Sequence, residues 1–209
     1  MRRFFILCAV TALAACTNET RVSDSAEPLG QFRLGHNIAV ADKVKSGPLA
    51  QDFLGSDLEA RLQKSVSKRL RRYDGDGLYH LAIVVGGVAL AQPGVPAVYA
   101  QKSILVVDVT VFDNETGTAL NTPPQRFFVD EGSRNTTPFI GLGSVATPDA
   151  QLANLSETAA RQIEAWLRNN PQWFEPRADQ IRVPFDAAVK APAIDTSSVQ
   201  DVDISGLGQ

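Results

Sequence analysis

Cysteine and histidine are scarce in this chain: 209 residues hold two of each. Zinc or iron centres need three or four such ligands at recognisable spacing, and no Cys-x-x-Cys, His-x-x-His or His-Glu-x-x-His occurs. The Gly-x-Ser-x-Gly turn of many serine hydrolases is missing too. No apolar run reaches the roughly 20 residues that a membrane-crossing helix requires. Basic charge is not in excess either, since the formal net charge is -3, which disfavours nucleic acid as a partner. The two histidines, His36 and His80, fall within predicted strands and read as sheet residues. A Ser-His-Asp arrangement drawing on Ser144 and Asp108 is the rival reading. The expectation is therefore a protein that is not an enzyme and carries no metal or cofactor.

What is present begins at the N-terminus. Arg2 and Arg3 precede an apolar run from Phe4 to Leu13, which is followed by the small residues Ala14 and Ala15. This is the pattern of an export signal, too short to span a bilayer. The sequence Leu13-Ala14-Ala15-Cys16 resembles the lipobox of bacterial lipoproteins. That resemblance implies cleavage before Cys16, diacylglycerol on its sulfur and acylation of the new N-terminus, and hence stable anchoring, since several acyl chains hold where one is marginal. Cys8 would leave with residues 1–15, so the exported chain would have no intramolecular disulfide and would depend on core packing. Thr17 and Asn18 follow the cysteine without an aspartate, which in the lipoprotein pattern implies the outer membrane, facing the periplasm, with the inner membrane as the alternative.

Residues 16–30 are polar and close on Pro28 and Gly30, as expected of a tether. Phe32, Leu34, Ile38, Val40 and Val44 share one parity and predict a strand over 32–44 with one buried face. Ser56-Asp57-Leu58-Glu59 has the form of a capping box. Leu58, Leu62, Val66, Leu70 and Tyr73 then recur at helical spacing, predicting a helix over 57–73. Asp74-Gly75-Asp76-Gly77 reads as a helix stop, lacking the later acceptors and glutamate of a calcium loop. A central strand is predicted over 79–91, with Gly86-Gly87 marking a bulge or a close backbone approach. A second strand over 103–113, a turn at Asn114-Glu115-Thr116-Gly117 and a return strand through 126–129 follow. Thr147-Pro148-Asp149 starts a second helix over 148–169, carried by Leu152, Leu155, Ala159, Ile163, Trp166 and Leu167. Residues 175–209 are rich in Pro, Ala, Asp and Ser and predict an extended or disordered tail, with Ile181, Val183 and Phe185 available to dock on the domain.

The predicted fold is α+β, with one mixed or antiparallel sheet of about four strands, two helices on one face and the order β-α-β-β-β-α, forming a domain over 31–174. This arrangement is similar to that of small envelope lipoproteins, among them the lipopolysaccharide-assembly lipoprotein and the auxiliary lipoproteins of lipid-transport systems. It is also similar to an uncharacterised family of bacterial lipoproteins. A tether, a compact domain and the lack of catalytic motifs together point to a lipid-anchored, non-catalytic accessory that holds an envelope protein partner. The alternative is a binder of a lipid or other amphiphile, with loops around Val95 and Phe139 lining a cleft.

The first predicted helix carries the most suggestive charge pattern. Arg61, Lys64, Lys68, Arg69, Arg71 and Arg72 crowd it, while its acids stop at Glu59. Lys64, Lys68, Arg69, Arg71 and Arg72 could contact an anionic surface. The other reading is that cations near a helix C-terminus complement its dipole and keep the surface soluble. Gly141-Leu142-Gly143-Ser144 lacks the lysine of a phosphate cradle and is followed by Pro148, so it reads as a loop. Asn135-Thr136-Thr137 and Asn154-Leu155-Ser156 match a glycosylation pattern too short to carry weight.

Overall fold

A computed structural model describes residues 27–41, 45–46, 55–91, 102–130 and 147–185. Its elements are β1 (Phe32–Val40), β2 (Lys45–Ser46), α1 (Gly55–Leu70), β3 (Gly77–Ala89), β4 (Ile104–Asp113), β5 (Gln125–Asp130) and α2 (Pro148–Arg168), ending in a short 3-10 turn (Pro171–Phe174). The sheet order is β1-β3-β4-β5, with β1 and β3 parallel and the other neighbours antiparallel. The two-residue β2 continues the β1 edge farther along β3. The chain is thus α+β, one open mixed sheet with the predicted order of elements.

Both helices enclose the core against one face of the sheet. Leu58, Leu62, Val66 and Leu70 of α1 meet Leu152, Leu155, Ala159, Ile163 and Leu167 of α2 above Leu81, Ile83, Val107, Val109 and Val111. Alternation along β4 follows the period of two, since Leu105, Val107, Val109 and Val111 belong to the core beneath the helices while Val106 and Asp108, also buried, do not.

Two bulges reset that alternation elsewhere. In β1 the register passes from Leu34↔Tyr79 to Asn37↔Leu81, so one extra residue enters on the β1 side. A one-residue insertion sends every later side chain to the opposite face. Phe32 and Leu34 therefore point into the core as expected, but beyond the bulge Ala39 is buried and Ile38 and Val40 are only partly so. The predicted single parity through Val40 is corrected on that ground, and Val44 lies outside the described residues. In β3 the slip falls between Val85 and Gly87, at the predicted glycine pair, and core positions change from Val85 to Val88.

The helix ends also show what the backbone demanded. Thr147 caps α2 as expected, its hydroxyl accepting from Ala150 N–H at 3.3 Å, with Pro148 in the first turn. At α1 the helix starts at Gly55, one residue before the predicted cap Ser56. Glu59 does not face back to Ser56 there; its carboxylate accepts from Ala41 N–H at 2.7 Å, a donor that the end of β1 leaves unpaired.

Candidate functional site: the pole where the tether joins

The described elements define two ends of the sheet. At one end lie the start of β1, the end of α1, the start of β3, the β4 hairpin turn and the 3-10 turn. Gln31 N–H donates to Phe174 O at 2.8 Å, while Gly75 and Gly77 donate to Phe32 O and Gln31 O at 3.0 and 2.8 Å. Asp74-Gly75-Asp76-Gly77 is thus a clasp between α1 and β1 as well as a helix stop. Gly75 is required there, because a Cβ would overlap the backbone of Gln31. Gly30 has a φ of 52° and also packs on Phe174, where a side chain would clash.

Beneath the clasp four rings from four segments pack together. Phe32 stacks on Tyr79 at 5.7 Å between centroids and meets Phe174 and Tyr73 edge-on at 5.1 and 6.0 Å. Tyr79 meets Phe174 edge-on at 4.9 Å and donates from its hydroxyl to Trp173 O at 3.1 Å. Such contacts add about 0.5–1.5 kcal/mol each beyond burial, so this pole is a firm base.

Around the rings runs a charged network that joins the helices. Glu164 of α2 is 6 % exposed and accepts from Arg69 at 2.7 Å, from Arg72 at 2.5 Å and from the Tyr73 hydroxyl. Burial alone would push its carboxyl up, but the hydrogen bonds from Tyr73, Arg69 and Arg72 outweigh that and hold it below the usual range. The structure therefore divides the five basic residues singled out in the sequence. Arg69 and Arg72 turn inward to Glu164, whereas Lys64, Lys68 and Arg71 stay exposed on the outer side of α1.

Residues 175–185 lie along the same pole, and arginines fasten them. Arg177 donates to buried Asp113 at 2.6 Å and pairs with Glu115 at 3.0 Å. Arg182 bridges Asp74 and Asp76, and Arg33 donates to Val183 O. Of the three apolar residues expected to dock, Ile181 is 79 % exposed and Phe185 44 %, so polar bonds carry the attachment.

His80 fills the β1 bulge. Its Nδ1 accepts from His36 N–H at 2.8 Å, which places the proton on Nε2, 2.9 Å from Asn114 Oδ1. His36 stacks on the same ring at 4.9 Å. Burial pulls the His80 pKa below its ordinary value, against the opposing effect of the bond that its Nε2–H donates to Asn114. Gly35 makes room, since a Cβ there would sit 2.6 Å from the imidazole. Asp108 is held by Arg126 through two bonds of 2.8 and 2.7 Å, four positions along β4 from Phe112, the residue paired with His80, and Ser144 lies outside the described residues. Among the described residues, no group of three or more His, Cys, Asp or Glu is placed to hold a metal ion, and no helix is long and apolar enough to cross a membrane.

At the other end of the sheet, Ser103 and Gln151 close a buried ring. Ala91 N–H donates to Ser103 Oγ at 3.0 Å, Ser103 Oγ donates to Gln151 Oε1 at 2.6 Å, and Gln151 Nε2 donates to Ala91 O at 3.0 Å. Here the described chain breaks off after Ala41, Ala91 and Asp130. Val95 and Phe139, named for an amphiphile cleft, fall outside the described residues, as do Cys16 and the rest of 1–26. A described cleft of about 320 Å³ is lined by Gln31, Arg72, Asp74 and Asp76 among others, and one of about 210 Å³ by Asp76, Asp113, Arg177 and Asp179 among others. Leu29, Phe32 and Tyr73 also line the first, and Leu78, Ile181 and Val183 the second, so both linings mix charged with apolar groups.

Sequence reasoning passed over Glu164, Gln151, Arg177 and Arg182. Only Gln151 left a signal, as a polar residue just before Leu152 on the buried side of α2.

No family model matches this chain, and no curated protein matches it. Two solved structures are similar in part. A Xanthomonas campestris protein of the DUF330 family matches at 12% identity with a TM-score of 0.42, over 71% of this chain and 90% of that one. A provisionally assigned lipoprotein of Caulobacter crescentus CB15 matches at 18% identity with a TM-score of 0.33, over 68% of this chain and 93% of that one. Such scores lie too low to transfer a role.

Proposed function

We propose that this chain is a lipid-anchored accessory protein of the bacterial envelope, held through Cys16 at the periplasmic side of the outer membrane, with a domain that binds a protein partner. The observation that carries the reading is where the tether joins. Leu29 is buried and Gln31 is bonded to Phe174, so the lipid-bearing residue hangs from the aromatic pole. The intervening chain reaches on the order of 45 Å at full stretch. The opposite end of the sheet, and the β5 edge beside it, then face away from the anchor. Among the described residues β5 pairs on one side only, and Phe128 on it is 57 % exposed. A strand edge carrying an exposed aromatic suits addition of a partner strand.

Two measurements test the proposal in cells. Palmitate labelling should mark the protein, and Cys16→Ser should abolish the mark and release the protein from the outer-membrane fraction. A photo-crosslinking residue in place of Phe128 should trap one defined envelope protein, whereas the same residue in place of exposed Glu157 on α2 should not. Equal labelling of the Cys16→Ser form, or no product specific to position 128, would remove the corresponding half of the proposal.

A further inference from the structure

We infer that the outer face of α1 formed by Lys64, Lys68 and Arg71, together with Phe185, lies against the anionic phospholipid surface that holds the anchor; this rests on the lipid-anchored reading. Six cations fall between Arg61 and Arg72, and the structure sorts them. Arg61 pairs with Asp149, and Arg69 and Arg72 pair with Glu164. Lys64, Lys68 and Arg71 pair with no carboxylate among the described residues. Lys64 and Lys68 lie on α1 and Arg71 in the turn directly after it, where its N–H still bonds to Ser67 O at 3.0 Å, so spacings of four and three put them on one side. They span about 10 Å along the axis, so one flat surface can meet all three.

Two further observations point to a membrane. Phe185 sits under the Arg71 guanidinium, 4.9 Å from it, and is 44 % exposed, so an aromatic ring accompanies the basic stripe as in interfacial helices. The chain also enters here, with Glu27 3.9 Å from Arg168. Dipole complementation accounts for cations in the last turn but not for Lys64, which stands mid-helix, nor for the ring beside Arg71.

The test uses the full lipidated chain carrying Phe185→Trp, reconstituted into vesicles with brominated acyl chains. Phosphatidylcholine vesicles are compared with vesicles that also contain phosphatidylglycerol, and the signal of Trp166 and Trp173 is subtracted using the unsubstituted chain. Quenching of the new tryptophan should appear in the anionic vesicles, fall at high salt, and vanish on combining Lys64→Glu, Lys68→Glu and Arg71→Glu. Lys102→Glu, at the far end of the sheet, should leave it intact. Equal quenching in both vesicle types, or quenching that survives both high salt and the triple reversal, overturns the inference, and the salt arm holds even if the triple variant folds poorly. Intact mass reports the anchor separately. If acyl mass is missing, the anchored reading fails, and the stripe is then judged by co-sedimentation of the same chain with the same vesicles, where each reversal should weaken binding by at least about fivefold.

Discussion

His80 owes its protonation state to one backbone donor. Because its Nδ1 accepts from His36 N–H, a second proton would break that bond in a buried site. The folded pKa is lowered, so the unfolded chain binds the proton first as pH falls. The stability contribution is complete above the unfolded value of about 6.5 and is lost as pH drops from there towards the folded value. Denaturant unfolding at a series of pH values should show this decline, and His80→Asn should flatten it; an unchanged slope in the variant would assign the decline to other groups. Glu164 works at lower pH and with depressed pKa, so its contribution is held above the carboxylate range and lost as pH falls through its folded value. Replacing it by Gln leaves Arg69, Arg72 and Tyr73 facing a neutral amide. We expect a loss of about 2–3 kcal/mol in urea unfolding, at the lower end for a broken buried pair because the arginines keep some water contact. Neither role was legible in the sequence. A histidine in a strand and a glutamate on a helix look the same whether they face solvent or a partner more than 40 positions away.

Elements formed where periodicity was clean and shifted where backbone geometry intervened. β4, α1 and α2 appear close to their predicted positions because each repeats its apolar residues at the period of its own structure over two or more turns or pairs. β1 was misread past Leu34 because its alternation continued on paper while a bulge turned the chain over. The bulge in β3 was legible, since Gly86-Gly87 interrupts a β-branched run. The hairpin after β4 turns at Gly117, with φ of 65°, but regular pairing resumes only at Gln125. In between, the Asn121 side chain takes the place of a strand, accepting from Val111 N–H and donating to Val109 O, both at 2.9 Å. The Ser103–Gln151 ring ties β3, β4 and α2 in a similar way. Gln151→Leu removes the acceptor of the Ser103 hydroxyl bond and the donor to Ala91 O in a buried site, and we expect it to cost about 2 kcal/mol and to speed amide exchange in the first turn of α2. A melting temperature equal to that of the parent chain would show that water replaces the amide there.

Across the whole molecule, charge is arranged by position rather than by amount. A net charge of -3 says little about a chain in which Arg177 and Arg182 are each shared by two acids of one pole while Lys64, Lys68 and Arg71 stay exposed. The segment after Phe174 belongs to this arrangement. Combining Arg177→Ala with Arg182→Ala leaves Asp113 buried without a cation and frees 175–185, so the melting temperature should drop by several degrees and protease cleavage should appear within that segment. Resistance equal to that of the parent would mean that Val183 O and its bond from Arg33 suffice. The export-like start, the α+β class, the order of elements and the helix faces were set by the sequence alone, because those features depend on local period and local composition. The bulge that reverses β1, the partition of α1 cations between Glu164 and solvent, and the fastening of 175–185 by arginines were decided only in three dimensions. Each depends on which distant group arrives opposite a given side chain, and a linear pattern holds no record of that.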